Sequence, residues 1–188
     1  MEHEDRRFLV LLGSARRDGN TELLARKALE QVESPVEWVN LQEVGLPEFD
    51  DLRHTERRHY EPEGTEREML ETTLRATDIV IASPLYMYSV SAQAKKYLDY
   101  WSGWEYVPGY DFTGEMAKKT LWGVTVLSED DHSVADPLVG TLRLSARWQK
   151  MQFGGVLLGI GNRPGDVLQD SAALERAESF FVRTPVLA

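Results

Sequence analysis

The chain contains no cysteine, which removes disulfides, thiolate nucleophiles and thiolate metal sites together. No apolar run approaches the roughly 18 residues needed to span a bilayer. The opening MEHEDRRFLVLLGS puts acids ahead of a short apolar stretch that ends at Gly13, without the basic start and small-residue cleavage site of a signal peptide. Basic residues are outnumbered, 21 against 31 acids, for a net charge of −10, which disfavours general nucleic-acid binding unless the cations gather on one face. Two familiar phosphate loops are also missing, since the sequence has neither G-x-G-x-x-G nor a G-K-[ST] ending. These absences point to a cytoplasmic enzyme or carrier with no nucleic-acid or membrane partner, in which any bound phosphate is held locally by backbone amides and a few side chains.

At 188 residues, 42% hydrophobic and 28% charged, the chain can bury a sizeable core without covalent staples, and one domain over residues 1–188 is expected. Arg7 to Leu12 is a continuous apolar run broken by Gly13, the pattern of a strand buried on both faces. Thr21 to Val32 places Leu23, Leu24, Ala28, Leu29 and Val32 at helical spacing, with Asn20 or Thr21 available as its cap. After Pro35 a short strand follows over Val36 to Leu41 and completes a βαβ unit. From Gln42 to Gly64 no period is sustained, so this polar stretch reads as a long excursion. The alternation then resumes: helix from Glu66 to Ala76, strand from Asp78 to Ser83, helix from Ser91 to Gly103, strand from Lys119 to Leu127. A helix within His132 to Lys150, a strand from Phe153 to Ile160 and a last helix from Ser171 to Val182 complete the series. Strands alternating with helices over five units predict a doubly wound, all-parallel α/β sheet.

Ligands of open parallel sheets sit beyond the carboxyl ends of the strands, so the loops after the first, third and fourth strands matter most. The first, GSARRDGNTELL, offers hydroxyls at Ser14 and Thr21, a guanidinium at Arg16, an amide at Asn20 and two turn-forming glycines ahead of a helix. Those groups suit an anion cradle for a mononucleotide phosphate, although an ordinary polar connection has the same composition. The second loop, SPLYMYS, stiffens its exit with Pro84 and then offers Leu85, Tyr86, Met87, Tyr88 and Ser89 to a flat heteroaromatic ring. Taken alone, Tyr86 and Tyr88 also read as ordinary core or interface aromatics.

At these residues the sequence resembles the NAD(P)H-dependent FMN reductases of the flavodoxin-like superfold, which include quinone, azo and chromate reductases. GSARRDGNTELL resembles that family's phosphate loop. The stretch from Pro84 through Tyr86, Ser89, Lys95 and Asp99 is similar to its flavin loop, P-x-Y-x-x-S-x-x-x-x-x-K-x-x-x-D, and LPEFDD (Leu46 to Asp51) resembles its L-P-x-[FY]-[DN] element. The resemblance implies a flavodoxin-like three-layer sandwich with a five-stranded parallel sheet, FMN as cofactor and NAD(P)H as co-substrate. It implies that Ser14, Arg16, Asn20 and Thr21 hold the FMN phosphate, that Pro84, Leu85, Tyr86, Met87, Tyr88 and Ser89 line the isoalloxazine, and that Ser128 opens the third wall.

That third wall, SEDDHS, departs from the family, whose members commonly carry glycines there. Three carboxylates beside an anionic cofactor are unfavourable, so Glu129, Asp130 and Asp131 are expected to face solvent or a partner subunit. His132 has two readings, a group near the flavin's polar edge or a plain surface histidine. Lys95 and Lys96 have no adjacent glycine, where the family more usually has a proline or glycine near the helix start, a change expected to affect packing. The aromatic stretch DYWSGW reads as core plus a subunit contact. HTERRH reads as a solvated loop and not as a metal site.

The resemblance implies a homodimer or dimer of dimers that reduces a small-molecule electron acceptor, with no general acid, base or nucleophile required. A flavodoxin-type electron carrier is the rival reading, and the acidic composition suits it. A flavin-free regulatory module on the same fold is the third.

Overall fold

The computed structural model describes residues 6–182. Five strands, β1 (Phe8–Leu12), β2 (Val36–Asn40), β3 (Asp78–Ala82), β4 (Thr120–Leu127) and β5 (Gln152–Ile160), alternate with helices. The helices are α1 (Asn20–Leu29), α2 (Gly64–Arg75), α3 (Ala92–Trp104), α4 (Phe112–Met116), α5 (Asp136–Trp148) and α6 (Ser171–Phe180). Every strand pair is parallel and the order across the sheet is β2-β1-β3-β4-β5. This is the flavodoxin-like sandwich that the alternation and the resemblance predict.

Strands β1, β3 and β4 are buried at every residue, which explains why they read as unbroken apolar runs. Their alternate side chains divide between two layers. Phe8, Val10, Val80, Trp122 and Val124 pack under α1 and α6 with Leu24, Ala28, Ala173 and Phe180. Leu9, Leu11, Ile79, Ile81 and Leu121 face the other way, onto Leu70, Tyr97, Trp101, Trp104, Leu138 and Leu142 from α2, α3 and α5. Each fully buried side chain of this size stabilises the fold by about 1.5–3 kcal/mol relative to exposure.

The N-terminal edge of the sheet is closed by a buried carboxylate. Asp78 accepts from Arg6 Nη2 at 2.6 Å and Nε at 3.1 Å, from Trp122 Nε1 at 2.8 Å and from Thr77 Oγ1 at 2.8 Å. Nearby, Lys119 is buried with its Nζ donating to the Leu74 and Ala76 carbonyls at the end of α2, and desolvation pulls its pKa below the usual lysine value. Both buried charges at this end of the sheet are thus held by structural partners.

Several local readings are corrected. The N-cap of α1 is Gly19, with no side-chain cap, so neither Asn20 nor Thr21 performs that task. The helix expected within His132 to Lys150 is α5; it starts at Asp136, after a separate 3₁₀ turn at His132–Ala135, because Pro137 has no amide to donate and fits the first helical turn. The short α4, with Phe112 and Met116 buried, has no counterpart in the periodicity reading. In β5, the register slips opposite Leu121 and Trp122; a Cβ on Gly154 would sit 2.1 Å from the Trp122 ring, and Gly155 takes φ +102°. The Gly-Gly pair therefore makes a bulge that admits the indole.

The excursion between β2 and α2 is pinned over α3. Lys96 Nζ donates to the Leu46 carbonyl at 2.9 Å, Tyr100 Oη to Pro47 O at 3.1 Å, and Phe49 meets Tyr100 edge-on at 5.3 Å between centroids. Leu46 from the LPEFDD element is buried in the same core as Tyr97 and Trp101. The aromatics of DYWSGW, Tyr100, Trp101 and Trp104, are all buried in the chain's own core, which accounts for the core half of their reading.

Candidate functional site

The chain leaves β1 on one side of the sheet for β2, and leaves β3 on the other side for β4 and β5, so the switch point lies between β1 and β3. Gly13 N–H donates to Ala82 O at 2.9 Å and Ser83 N–H to Val124 O at 3.0 Å. These bonds carry the ladder one residue past the strands and set the loops after β1, β3 and β4 side by side. A Cβ on Gly13 would stand 2.7 Å from Ser91 Oγ, so only glycine lets the first loop pass so close to the start of α3.

In the first loop, Ser14 is buried and its Oγ accepts the Arg16 N–H at 3.0 Å, folding the backbone into a serine turn. Asp18 takes φ +52° and gives its N–H to Glu22 Oε2 at 3.0 Å. Glu22 is in turn held by Arg26 Nη2 at 2.7 Å, and that guanidinium stacks 4.4 Å from the Trp38 ring centroid. With Gly19 as an N-cap that carries no side chain, the first amides of α1 have no side-chain acceptor. A helix start in that state presents free N–H groups and the positive end of its dipole, the features that favour an anion at a helix N-terminus.

The adjacent arginines separate in role. Arg17 pairs with Glu43 at 2.8 Å, whereas the exposed Arg16 guanidinium makes no ion pair among the described residues. Thr21 is buried in the first turn of α1. Asn20, expected to ligate phosphate, spends its side chain elsewhere: Nδ2 donates to Arg163 O at 2.9 Å and Oδ1 accepts from Gly165 N at 2.8 Å. It clips the loop after β5 to the start of α1.

The second loop is a two-residue hairpin. Tyr86 and Ser89 exchange both backbone bonds at 3.1 Å, and between them Met87 and Tyr88 take φ +47° and +65°. Positive φ at both central residues is the type I′ pattern, which Asn-Gly normally fills. Holding two large L-residues there costs about 1–2 kcal/mol each, and the surroundings do not compensate by burial. Tyr86, Met87 and Tyr88 are 48%, 88% and 54% exposed. The turn is thus strained and displays three large side chains to solvent at the carboxyl edge of the sheet. Its base is rigid: Ser83 Oγ accepts the Ser91 N–H at 2.8 Å, and Ser91 caps α3 through Ala94. Pro84, Leu85 and Ser89 are half-buried between these points.

The third wall is exposed from Ser128 to Ser133. Asp131 accepts from the Ser133 N–H at 2.9 Å and Oγ at 2.7 Å, which holds its carboxyl below the ordinary aspartate value. Glu129, Asp130 and His132 face outward, as the charge argument expects for the acids. The described residues contain no cluster of three or more metal-ligating side chains. A separate hollow of about 390 Å³ between Arg6, Val32, Pro35 and Phe181 lies at the opposite edge of the sheet, away from these loops.

Residue reasoning alone did not anticipate the Asn20 clip or the hairpin strain. The first joins positions some 140 residues apart, and the second depends on φ values that Tyr-Met-Tyr-Ser does not advertise.

A Bacillus subtilis protein, provisionally named NAD(P)H-dependent FMN-containing oxidoreductase YwqN, is 29% identical over 182 residues, 96% of this chain and 99% of the relative. The solved structure of the Trp repressor binding protein from Bacillus subtilis is 26% identical with a TM-score of 0.76, covering 95% of this chain and 99% of that one. An FMN-dependent NADH-azoreductase from Bacillus anthracis, solved with FMN bound, shares the fold at 14% identity and a TM-score of 0.65, covering 93% and 96% of the two chains. The family model for NADPH-dependent FMN reductases matches residues 6–155, a span that contains the cradle, the hairpin and the acidic wall, and the chain is an oxidoreductase belonging to that family.

Proposed function

We propose that the chain works as a single-domain, cytoplasmic enzyme that reduces a small acceptor with NAD(P)H, the acceptor being a quinone, azo or nitro compound, a metal ion or free flavin. We infer further that it does so as a homodimer or dimer of dimers, without nucleic-acid or membrane partners. The observation that carries the reading is the pairing of an uncapped α1 start, preceded by an exposed Arg16 that forms no ion pair among the described residues, and a strained, exposed aromatic hairpin in the loop after the neighbouring strand β3. The azoreductase of the same fold sets azo compounds among the first acceptors to try.

The residues fit FMN. Its phosphate suits the first-turn amides of α1, the Ser14 and Thr21 hydroxyls and the Arg16 charge, which together neutralise a dianion in a protein that is otherwise acidic. Pro84 to Ser89 present backbone polar groups and the edges of Tyr86 and Tyr88 to the ring, and Ser128 closes the site from β4. FMN held by these residues would supply the redox chemistry, two-electron transfer between nicotinamide and the acceptor. The chain positions: Gly13 lets the first loop approach α3, Asn20 locks that loop to the segment after β5, and the Ser83–Ser91 bond fixes the hairpin base. Tyr86, Met87 and Tyr88 displace water from the ring surface and form one side of the slot for the second substrate.

An anaerobic titration of FMN-reconstituted protein with NADH and with NADPH tests this. Bleaching of the flavin's visible absorbance by either nucleotide is expected. Bound flavin that neither nucleotide reduces would replace the reductase with an electron carrier, and no binding of FMN would remove the cofactor assignment.

A further inference from the structure

The loop after β5, residues 161–166, is held at every backbone donor it has. Ile160 N–H, at its entry, donates to Asp170 Oδ2 at 2.8 Å and Gly161 N–H to Leu127 O at 2.8 Å. Asn162 and Arg163 N–H both donate to Asp166 Oδ2, at 3.2 and 2.7 Å. Gly165 N–H donates to Asn20 Oδ1 at 2.8 Å and Asp166 N–H to Arg163 O at 3.1 Å, while Pro164 has no N–H to place. A Cβ on Gly161 would stand 2.7 Å from Val167 N and 3.0 Å from Asn20 Nδ2, so glycine is what lets the loop close onto α1. The main chain here keeps no donor for a ligand. What the loop presents is one side chain: Arg163 is exposed, and its guanidinium makes no ion pair or hydrogen bond among the described residues.

Arg163 is placed through its carbonyl, which accepts Asn20 Nδ2 at 2.9 Å. Asn20 is the first residue of α1, so Arg163 branches from a fixed backbone one side chain's reach from the uncapped amides of that helix. Charge gives the position a use. In the loop after β1, Arg17 is spent on Glu43 and Glu22 on Arg26, which leaves Arg16 and, two residues on, the exposed Asp18. Arg16 and the roughly +0.5 of the helix start come close to matching the −1.5 to −2 of a phosphate monoester, but Asp18 withdraws a unit from that balance. A second cation restores it.

We propose that Arg163 is a phosphate-binding residue of the FMN site, a second guanidinium supplied from the loop after β5 and positioned by Asn20. The proposal rests on the cofactor reading given above and adds to it a group that lies outside the phosphate-loop motif and outside residues 6–155, the span of the family match. The planar fork of arginine suits paired bonds to phosphate oxygens. Arg16 and Arg163 come from segments far apart in the chain, so the phosphate ties the start of α1 to the loop after β5, as Asn20 already does. A residue in this role distinguishes FMN from riboflavin, which has the same ring system and no phosphate.

Fluorescence titration of the full chain, stripped of flavin, with FMN and with riboflavin tests the proposal, and thermal melting of each variant without flavin reports its folding. Arg163→Ala should weaken FMN binding about tenfold, the scale of a charge-assisted bond, and leave riboflavin affinity and the melt unchanged. Arg163→Lys should recover part of the loss, keeping the charge without the fork. The fall of FMN affinity with added salt should be less steep in Arg163→Ala than in wild type. In an Asn20→Ala background, where the loop is no longer clipped, Arg163→Ala should cost less than it does in wild type. Arg143→Ala, which removes an exposed cation from α5, controls for net charge and should change neither affinity. FMN affinity indifferent to Arg163→Ala overturns the proposal, as does a loss shared equally by riboflavin or reproduced by Arg143→Ala. A raised KM for NADPH with FMN affinity untouched would assign Arg163 to the nucleotide's 2′-phosphate and overturn it too. Wild-type chain that binds neither flavin fails the cofactor reading and this proposal together, whereas wild-type binding of FMN with an indifferent Arg163→Ala fails this proposal alone.

Discussion

Asn20 and Gly165 are joined across the carboxyl edge of the sheet, the Asn20 Oδ1 accepting the Gly165 N–H at 2.8 Å while Asn20 Nδ2 donates to Arg163 O at 2.9 Å. One side chain at the start of α1 thus satisfies both a donor and an acceptor of the loop after β5. Asn20→Ala leaves those backbone groups unpaired, and about 1–2 kcal/mol of stability should be lost, readable as a lower urea midpoint with an unchanged slope. Because the loop that Asn20 restrains borders the cradle, FMN affinity should fall as well. Asn20→Asp keeps the acceptor for Gly165 and should retain more stability than the alanine variant, while adding a negative charge that weakens FMN binding further. Equal stability of wild type and alanine variant would deny the clip its structural role.

Arg16 and Arg17 provide a paired test of the cradle. Arg17 is occupied by Glu43 at 2.8 Å and Arg16 is not. Arg16→Ala should weaken FMN binding about tenfold or more, the scale of a charge-assisted bond, with the urea midpoint unmoved because the side chain is exposed. Arg17→Ala should change neither by much, since an exposed ion pair contributes about 0–1 kcal/mol. Fluorescence titration of FMN against each variant reads the difference, and equal effects at both positions would take Arg16 out of the site.

The strain at Met87 and Tyr88 predicts a trade between stability and function. Met87→Asn with Tyr88→Gly supplies the residues that positive φ favours and removes two exposed apolar side chains. Stability should rise by about 1 kcal/mol or more, while flavin binding or its reduction by NAD(P)H slows. A variant that gains stability with undiminished reduction would show that the hairpin's side chains serve no part in the site.

How much of this was legible in the sequence follows from what each feature depends on. The buried strands announced themselves because β1, β3 and β4 are covered on both faces and must be apolar throughout. The loops after β1 and β3 were legible because glycine, proline and hydroxyl residues cluster there. The 3₁₀ turn at His132–Ala135 left the start of α5 open within His132 to Lys150, since its four residues are too few to show a period. The cap of α1 was misread because Gly19, the residue that occupies it, has no side chain to declare the role. The bulge at Gly154–Gly155 is fixed by Trp122 on the neighbouring strand, a partner that local sequence does not name.

The α3 side of the core predicts alkaline lability. Tyr97 is fully buried and donates to or accepts from Thr73 Oγ1 at 2.7 Å; desolvation by burial pushes its hydroxyl far above the ordinary tyrosine value. Burial, with Glu66 and Glu48 nearby, raises Tyr100 to about 12, and burial together with its bond to Glu66 raises Tyr60 further. In the unfolded chain each of these groups titrates near 10. Their folded values are raised, so the stability they contribute is complete below pH ~10 and is lost as pH rises above it, where the unfolded state releases protons that the folded state retains. Urea midpoints measured in steps from pH 8 to about 11 should therefore be flat at first and then fall. Tyr97→Phe removes one of the protons and should make the fall less steep, though it forfeits the bond to Thr73 and lowers the plateau by about 1 kcal/mol. A plateau that extends unchanged through pH 11, or a slope that Tyr97→Phe leaves untouched, would mean that these hydroxyls ionise in the folded protein as readily as in water.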